Sequence, residues 1–539
     1  MKRLLHLWPD IASILLIVAA TFMLYGAALP SGFQPKDDWE AILFTSTTPW
    51  HPQLDLPAPN YTSYLTDYRG YALEREFMLG RFRPVYWTLT TVEAHLFHST
   101  PVLWHLETLL LGAAGACLLY VAARRMQLHP LPALVGALLL VLSAYNLWVE
   151  LAISEEPALL FTTVALLLWV EGARRGRLTA YDWVALLVMI LAGWLKESFT
   201  LIIPAMLLGR GALQWLWFNP VSFRTAFMSL LPLNFAAAVL IIFQLALQAW
   251  VYQTGYFSQL VVGGSEAILS WATPIKWLFY IGYNGQKFGF YLPLFVLLVA
   301  GISAWRTRFN GRLLGMIALT AGAWLLPQLL LYTHRGMFTN YLFPAGVMLA
   351  LVSIFALELM LRIGKRMWVY TLVALMVLAS YGQIRATLTL TAAANAHNAA
   401  FHRTISTTSQ TIDCNADNVL LYTEKSFDMG ASILTWLGEA GCPVSIDLYL
   451  TRQSYEIHAS WGGVRWLEEI YGPYTPGTLA DYDWILIPGP PETLQVDPLP
   501  AYDPRDWQIM TIQEHYSVYP RWSLVTIQRV ATFTLLQRR

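Results

Sequence analysis

Long apolar runs, separated alternately by short basic stretches and by longer aromatic and acidic ones, set the pattern of this chain. About 20 apolar residues suffice for a helix to cross a bilayer. On that measure the sequence predicts eleven membrane segments: Ile11–Leu29, Val102–Ala123, Leu131–Trp148, Pro157–Glu171, Tyr181–Trp194, Phe199–Leu208, Ala226–Trp250, Gly289–Trp305, Leu313–Tyr332, Tyr341–Leu361 and Met367–Ile384. The basic stretches hold Lys2 and Arg3, Arg124 and Arg125, Arg174 with Arg175 and Arg177, Arg306 with Arg308 and Arg312, and Arg362 with Lys365 and Arg366. Cytoplasmic loops carry the excess of lysine and arginine. The amino terminus is therefore expected in the cytoplasm, and the loops at 31–100 and 250–288, with everything after about 385, outside it. The first run has the length of a spanning helix and no clear small-residue cleavage site, so it is expected to be retained rather than removed as a signal peptide.

Two runs, 181–194 and 199–208, are short for about 30 Å of hydrocarbon. They flank Lys196 and Glu197, and each charge would cost about 2.5–3.5 kcal/mol at the centre of an inserting helix. The expectation is a re-entrant pair of half-helices with its apex near the outer face, where both charges meet protein, water or headgroups. Amphipathic runs at Tyr71–Met78 and Val85–Leu96 predict helices lying on the membrane surface. Trp271, Trp277, Tyr280 and Tyr283 are spaced for an interfacial aromatic belt.

After Ile384 the pattern becomes that of a soluble domain. Asn418–Tyr422, Val444–Asp447, Asp483–Pro488 and Trp522–Val530 read as strands, Met429–Ala440 as a helix ended by Gly441, and Trp461–Tyr471 as an amphipathic helix. Alternating strands and helices argue for a small α/β domain. The expected fold is a polytopic α-helical membrane domain over 1–384 followed by an extracytoplasmic α/β domain over 385–539. The latter shows no phosphate loop, zinc-ligand spacing or nucleophile elbow, and reads as a structural or substrate-positioning appendage.

Composition agrees: 56% of the 539 residues are hydrophobic, 13% are charged and the mean hydropathy is +0.47, against about 25% charged in soluble proteins. The formal net charge is zero and topology accounts for the cations, which leaves no case for nucleic acid as a partner. Cys117 falls in an apolar run. Cys414 and Cys442 share the external tail, either as a disulfide or as two buried thiols.

Candidate chemistry gathers on the external side. Asp37, Asp38 and Glu40 follow the first apolar run in the sequence DDWE. Such a cluster provides a general base or a ligand set for a hard divalent cation; the plainer reading is a solvated acidic turn. Glu155 and Glu156 precede Pro157 at the head of a span, where a carboxylate also serves as an N-terminal anchor through the helix dipole. External cations run against the topological bias. Arg81, Arg83, Lys276, Lys287, His334 and Arg335 suit a phosphate group on a lipid carrier, and snorkelling to headgroups is the alternative, favoured for Arg69 and Arg75.

The acidic motif after the first span, Arg81–Trp87 (RFRPVYW), His105–Arg125 (HLETLLLGAAGACLLYVAARR), Trp148–Leu160 (WVELAISEEPALL) and Leu195–Pro204 (LKESFTLIIP) occur in the order seen in the GT-C superfamily of membrane glycosyltransferases. The chain resembles most the protein O-mannosyltransferase-like and bacterial polyprenyl-phosphate-sugar-dependent members. The resemblance covers roughly the first 210 residues, is faint from there to Ile384, and does not reach the tail. It implies an inverting transfer of a sugar, hexosyl or pentosyl, from a polyprenyl-phosphate donor to a lipid, glycan or protein acceptor outside the cytoplasm. On matching positions it implies Asp37 or Asp38 as the base or acceptor-orienting carboxylate, Glu156 as the second acidic residue, and Lys196-Glu197 as the family's lysine–acid step. A transporter or lipid flippase for a glycolipid is the alternative, since broken helices and intramembrane charge also mark substrate pathways. Against it, the acidic groups collect at outer helix ends and the second half does not repeat the first.

Overall fold

The structure is a computed structural model. It describes residues 2–34, 83–98, 100–143, 151, 154–218, 221–254, 298–303, 314–317, 319–320, 343–414, 416–423, 432–433, 436–438, 440–442, 446–450, 479–492, 502–520 and 525–539. Twelve α-helices are numbered here in chain order: α1 Lys2–Tyr25, α2 Pro84–Phe97, α3 Pro101–Arg125, α4 Pro130–Ser143, α5 Glu155–Arg174, α6 Ala180–Leu195, α7 Glu197–Thr200, α8 Ile202–Ala212, α9 Phe223–Met228, α10 Leu231–Thr254, α11 Phe343–Arg362 and α12 Arg366–Thr411.

Among the described residues six helical runs are long and apolar enough to cross a membrane: Trp8–Ala28, Pro101–Arg125, Glu155–Arg174, Glu197–Phe218, Leu231–Trp250 and the one within Arg366–Thr411. Of the other five expected segments, those at 289–305 and 313–332 lie largely outside the described residues, those at 131–148 and 181–194 fall on the shorter apolar helices Pro130–Leu142 and Ala180–Leu195, and the one at 341–361 falls on α11, which is not among the six. Trp8, Leu15 and Met23 on α1, Phe235, Ile242 and Trp250 on α10, and Met367, Val377 and Leu378 on α12 are exposed apolar side chains, as a lipid-facing surface requires.

Charged and polar side chains fasten the ends expected in the cytoplasm. Asp10 of α1 accepts hydrogen bonds of 2.6 Å from both Tyr120 and Arg124 of α3. Glu358 of α11 accepts from the His129 amide at 2.9 Å and from Arg362 at 2.8 Å. Deeper still, Arg210 donates to Asp182 at 2.6 Å, to Gln214 at 2.8 Å and to the Arg177 carbonyl at 3.2 Å. The Arg210 and Asp182 side chains are 0% exposed. Gly172 sits against this carboxylate, and a Cβ there would lie 2.5 Å from Oδ1.

That network corrects one expectation. The run after Lys196 does not stop at Leu208 but continues through α8 and a π-helical stretch, Leu213–Phe218, which makes 22 residues, or about 33 Å. Gly209 and Arg210 end the apolar run in the sequence, yet Asp182, Gln214 and the Arg177 carbonyl satisfy the guanidinium and let the helix proceed. The partner leg α6 is 16 residues, about 24 Å, so only this leg is short. The expected span 226–250 likewise divides: Ala226 belongs to α9, and α10 starts at Leu231 with Pro232 in its first turn, where a missing N–H is tolerated.

A second correction concerns α12. It runs 46 residues without interruption, past Ile384 to Thr411. At about 1.5 Å per residue this is roughly 69 Å, more than twice the hydrocarbon thickness. The second half leaves the bilayer and becomes a layer of the tail: Ala400, Phe401 and Ile405 pack on Val419, Leu421, Leu486, Phe533 and Leu535.

The tail sheet contains β1 Val419–Thr423, β2 Ile446–Leu450, β3 Trp484–Ile487, β4 Trp507–Val518 and β5 Ile527–Arg538, in the order β2-β1-β3-β5-β4. β2 and β3 flank β1 in parallel, β5 lies antiparallel to β3, and β4 pairs with β5 from Trp507↔Arg538 to Val518↔Ile527. The strand expected at 522–530 is displaced to Ile527–Arg538, and β4 has no counterpart in the sequence reading. Its inward and outward positions do not alternate cleanly, with buried Trp507 and Ile512 separated by four residues that are not, so the period-2 signal is weak. Gly441, at φ +77°, and the bond from the Cys442 amide to the Leu437 carbonyl close the helical segment ahead of it. Cys414 and Cys442 form a disulfide with Cα atoms 5.0 Å apart.

Candidate functional site

Asp37, Asp38, Glu40, Arg81, His334 and Arg335 lie outside the described residues. What the structure describes is the frame around them: the chain leading into the acidic motif, the head of α5, and the break between α6 and α7.

The chain leaving α1 is held by side chains of two other helices, α12 and α3. Three side chains of α12, Asn395, Asn398 and His402, share one helical face at i, i+3 and i+7. Asn395 donates to the Ala27 carbonyl at 2.6 Å, and Asn398 donates to the Ser31 hydroxyl at 2.6 Å and the Gly32 carbonyl at 2.8 Å. His402 Nε2 lies 3.1 Å from the Phe33 carbonyl. Because a carbonyl only accepts, the ring is the tautomer protonated at Nε2. His402 stands about 54 Å along α12 from Arg366, well outside the bilayer, and burial holds its pKa below the ordinary histidine value. Gly32 is required by this approach, since a Cβ would sit 2.5 Å from the His402 ring. Trp436 of the tail completes the grip, 5.5 Å from the Phe33 ring and edge-on to His402 at 4.8 Å. His105 of α3, 1% exposed, also lies against the Ser31 and Gly32 backbone. Gln34, where this clasp ends, is three residues before Asp37, at most about 10 Å of chain.

The head of α5 carries Glu155 and Glu156, 3% and 2% exposed. Lys196 forms an ion pair with Glu155, whose other oxygen accepts from Ser154 at 3.1 Å. Lys196 sits in the extended link between α6 and α7, φ −151° and ψ 129°, which turns its side chain out of the helical stack and towards α5. Two residues singled out separately in the sequence, 41 positions apart, are thus joined, and Glu155 is engaged as the partner of a cation. Glu197 opens α7, half-buried beside it.

Helix register relates the two groups. A Cβ on Gly115 of α3 would meet Leu159 of α5 at 3.0 Å, and the two helices run side by side in the same direction. Glu155 is therefore level with residue 111, about 9 Å along the axis from His105.

Arg83 immediately precedes α2, with its guanidinium 4.5 Å above the Tyr86 ring and 5.7 Å from Trp87. On the same helix Glu93, 8% exposed, lies beside Glu107 of α3. Burial, and then the charge of Glu107, hold Glu93 well above the usual carboxylate range. Neither carboxylate stood out in the sequence, because a single acid in a helix carries no spacing signal. Asn395, Asn398 and His402 did carry one, an i, i+3, i+7 polar stripe in an alanine-rich stretch, but beyond the point where the apolar run ends. Among the described residues no three His, Cys, Asp or Glu side chains are placed to hold a metal ion.

No protein-family model matches the chain, and no curated protein matches it in sequence. Solved structures similar to it include the oligosaccharyltransferase of Archaeoglobus fulgidus in complex with zinc and sulfate, at 11% identity and a TM-score of 0.47, over 88% of this chain and 67% of that one. ArnT from Cupriavidus metallidurans bound to undecaprenyl phosphate is similar at 13% identity and a TM-score of 0.44, over 97% of both chains. The archaeal oligosaccharyltransferase AglB from Archaeoglobus fulgidus, in complex with an inhibitory peptide and a dolichol-phosphate, is similar at 12% identity and a TM-score of 0.46, over 89% of this chain and 69% of that one.

Proposed function

We propose that the chain is an integral membrane glycosyltransferase that moves a sugar from a polyprenyl-phosphate donor to an acceptor on the extracytoplasmic face. The observation that carries this reading is the clustering of buried chemistry at helix ends expected on the outer face: Glu156, the Glu155–Lys196 pair, and a backbone segment clasped by α12 and α3 immediately ahead of Asp37 and Asp38. A merely solvated acidic turn needs no such frame. The motifs shared in order with the GT-C superfamily support the same reading.

In this proposal Asp37 or Asp38 accepts the proton of the acceptor hydroxyl as the anomeric carbon is attacked from the face opposite the departing phosphate. Proton transfer of this kind contributes about 10²–10⁴-fold. Glu156 orients the acceptor or donor sugar, and Glu155 holds Lys196 in place beside it. Arg335 and His334, with Arg81 and Arg83, face the lipid phosphate and stabilise the charge that grows on it. The donor brings its own leaving group, so no nucleotide-binding fold is needed. If a divalent cation takes part, Asp37, Asp38 and Glu40 offer the hard oxygen ligands it prefers.

The test is to incubate membranes holding the protein with a panel of labelled polyprenyl-phosphate sugars and to separate the products by thin-layer chromatography. The proposal expects label to leave the lipid phosphate for an acceptor, and Glu156→Gln to reduce that transfer. Label that crosses the bilayer still attached to its lipid would identify a flippase instead.

A further inference from the structure

The external half of α12 and the β4–β5 hairpin run side by side. From Arg385 to Thr411 the helix rises about 39 Å, and from Trp507 to Val518 β4 extends about 36 Å. These lengths match, so the hairpin whose base joins the sheet near the top of α12 brings its other end down to Arg385. The contacts bear this out. Arg385 donates to the Pro520 carbonyl at 2.8 Å and to the Val525 carbonyl at 2.9 Å, and its guanidinium lies 5.4 Å from the Tyr519 ring. The Tyr519 amide donates to the Thr389 hydroxyl at 2.7 Å.

Arg385 is the first residue after the apolar stretch Met367–Ile384. Those 18 residues rise about 27 Å, close to the hydrocarbon thickness of about 30 Å. An arginine at the end of a span keeps its charge at headgroup level, so the two hairpin carbonyls bound to it are at headgroup level as well. The same end of the hairpin presents apolar side chains outward: Val525 is 65% exposed and Ile527 49%. Side chains of this kind, beside a tyrosine and a proline, suit the boundary between headgroups and acyl chains better than water.

We propose that the end of the β4–β5 hairpin carrying Tyr519, Pro520, Val525 and Ile527 docks into the outer-leaflet interface, its partner being the lipid surface itself. The tail then has two attachments to the bilayer, α12 and the hairpin, which together fix its height and tilt. Trp436 and the clasp residues of α12 are thereby held at a set level over the chain leading into Asp37. The proposal rests on α12 crossing the membrane and is independent of the reaction catalysed.

The test uses the full chain with Cys117→Ala, leaving the bridged Cys414 and Cys442 intact, and an environment-sensitive fluorophore on Val525→Cys or Ile527→Cys. A label on Gln508→Cys, exposed near the base of the hairpin, is the reference. The protein is reconstituted into phosphatidylcholine liposomes with or without acyl chains brominated near the headgroup. A hairpin end seated about 5–10 Å into the boundary should lose about half its emission to the bromines at both of these positions, while Gln508→Cys keeps its own. Emission at that end that is indifferent to bromine, or quenched equally at Gln508→Cys, overturns the proposal.

Discussion

Replacing Asn398 with alanine removes the donor that binds two successive residues of the segment ahead of Asp37. Its amide reaches the Ser31 hydroxyl at 2.6 Å and the Gly32 carbonyl at 2.8 Å from a side chain 1% exposed. A net hydrogen bond is worth about 1 kcal/mol, and a buried carbonyl left without its donor costs about 1–3 kcal/mol. The clasp should therefore weaken by about 2–4 kcal/mol, a change of about 30- to 1,000-fold in the population of the clasped segment. α12 itself is held by the Phe401 and Ile405 contacts with the sheet and should survive. A misplacement of about 1 Å costs about 10²-fold in rate, so kcat should fall by about that factor with little change in KM for the lipid-linked donor. Asn398→Asp keeps the shape, loses the donor, and should behave alike. Steady-state transfer by purified protein, with a melting curve for each variant, provides the assay. Wild-type kcat in both variants would refute a positioning role for the clasp; a loss of kcat matched by collapse of the melting transition would reduce it to a structural contact.

Other consequences can be measured without knowing the sugar. Arg210→Ala strands Asp182 in the protein interior and should destabilise by about 3–5 kcal/mol, whereas Arg210→Met with Asp182→Leu should recover much of that loss; a denaturant titration in detergent that shows Arg210→Ala unfolding like the wild type contradicts the network. Glu93 has a folded pKa raised above its unfolded value, so its contribution to stability is complete below about pH 4.5 and is lost as the pH rises through the folded pKa. The melting temperature should thus decline from mildly acidic to alkaline pH, and Glu93→Gln should flatten the profile; identical profiles would show that Glu93 ionises normally. Cys414→Ser with Cys442→Ser opens a loop spanning 28 positions and should cost about 3–4 kcal/mol by the chain-entropy relation, read as earlier protease cleavage of the tail; unchanged cleavage would count against it.

Much of the architecture was legible because a bilayer imposes length and charge rules on sequence. The spans corresponding to α3, α5 and α6 lie within a few residues of their expected ends, and β1 and β3 were visible as short apolar runs. The two misplaced helix ends share one cause, which is that apolar periodicity reports burial in lipid and not continuation of a helix. Arg210 ended the run in the sequence, yet Asp182 and Gln214 satisfy it and the helix proceeds. Ile384 ended another, yet α12 continues because its next surface is covered by Phe533 and Leu535. Missing that extension hid Asn395, Asn398 and His402, whose stripe spacing has meaning only on a helix. The Glu155–Lys196 pair was visible as two separate charges, and only the extended link at Lys196 shows that they meet.

In the proposed reaction a carboxylate of the acidic motif takes the proton of an acceptor hydroxyl. Asn keeps the shape of Asp and cannot accept that proton, so transfer from a labelled polyprenyl-phosphate sugar should be measured in Asp37→Asn, Asp38→Asn and the double variant at matched protein level. Transfer should fall by about 10²-fold or more in one single variant and in the double, with donor binding little changed. Near-normal transfer in all three would contradict it.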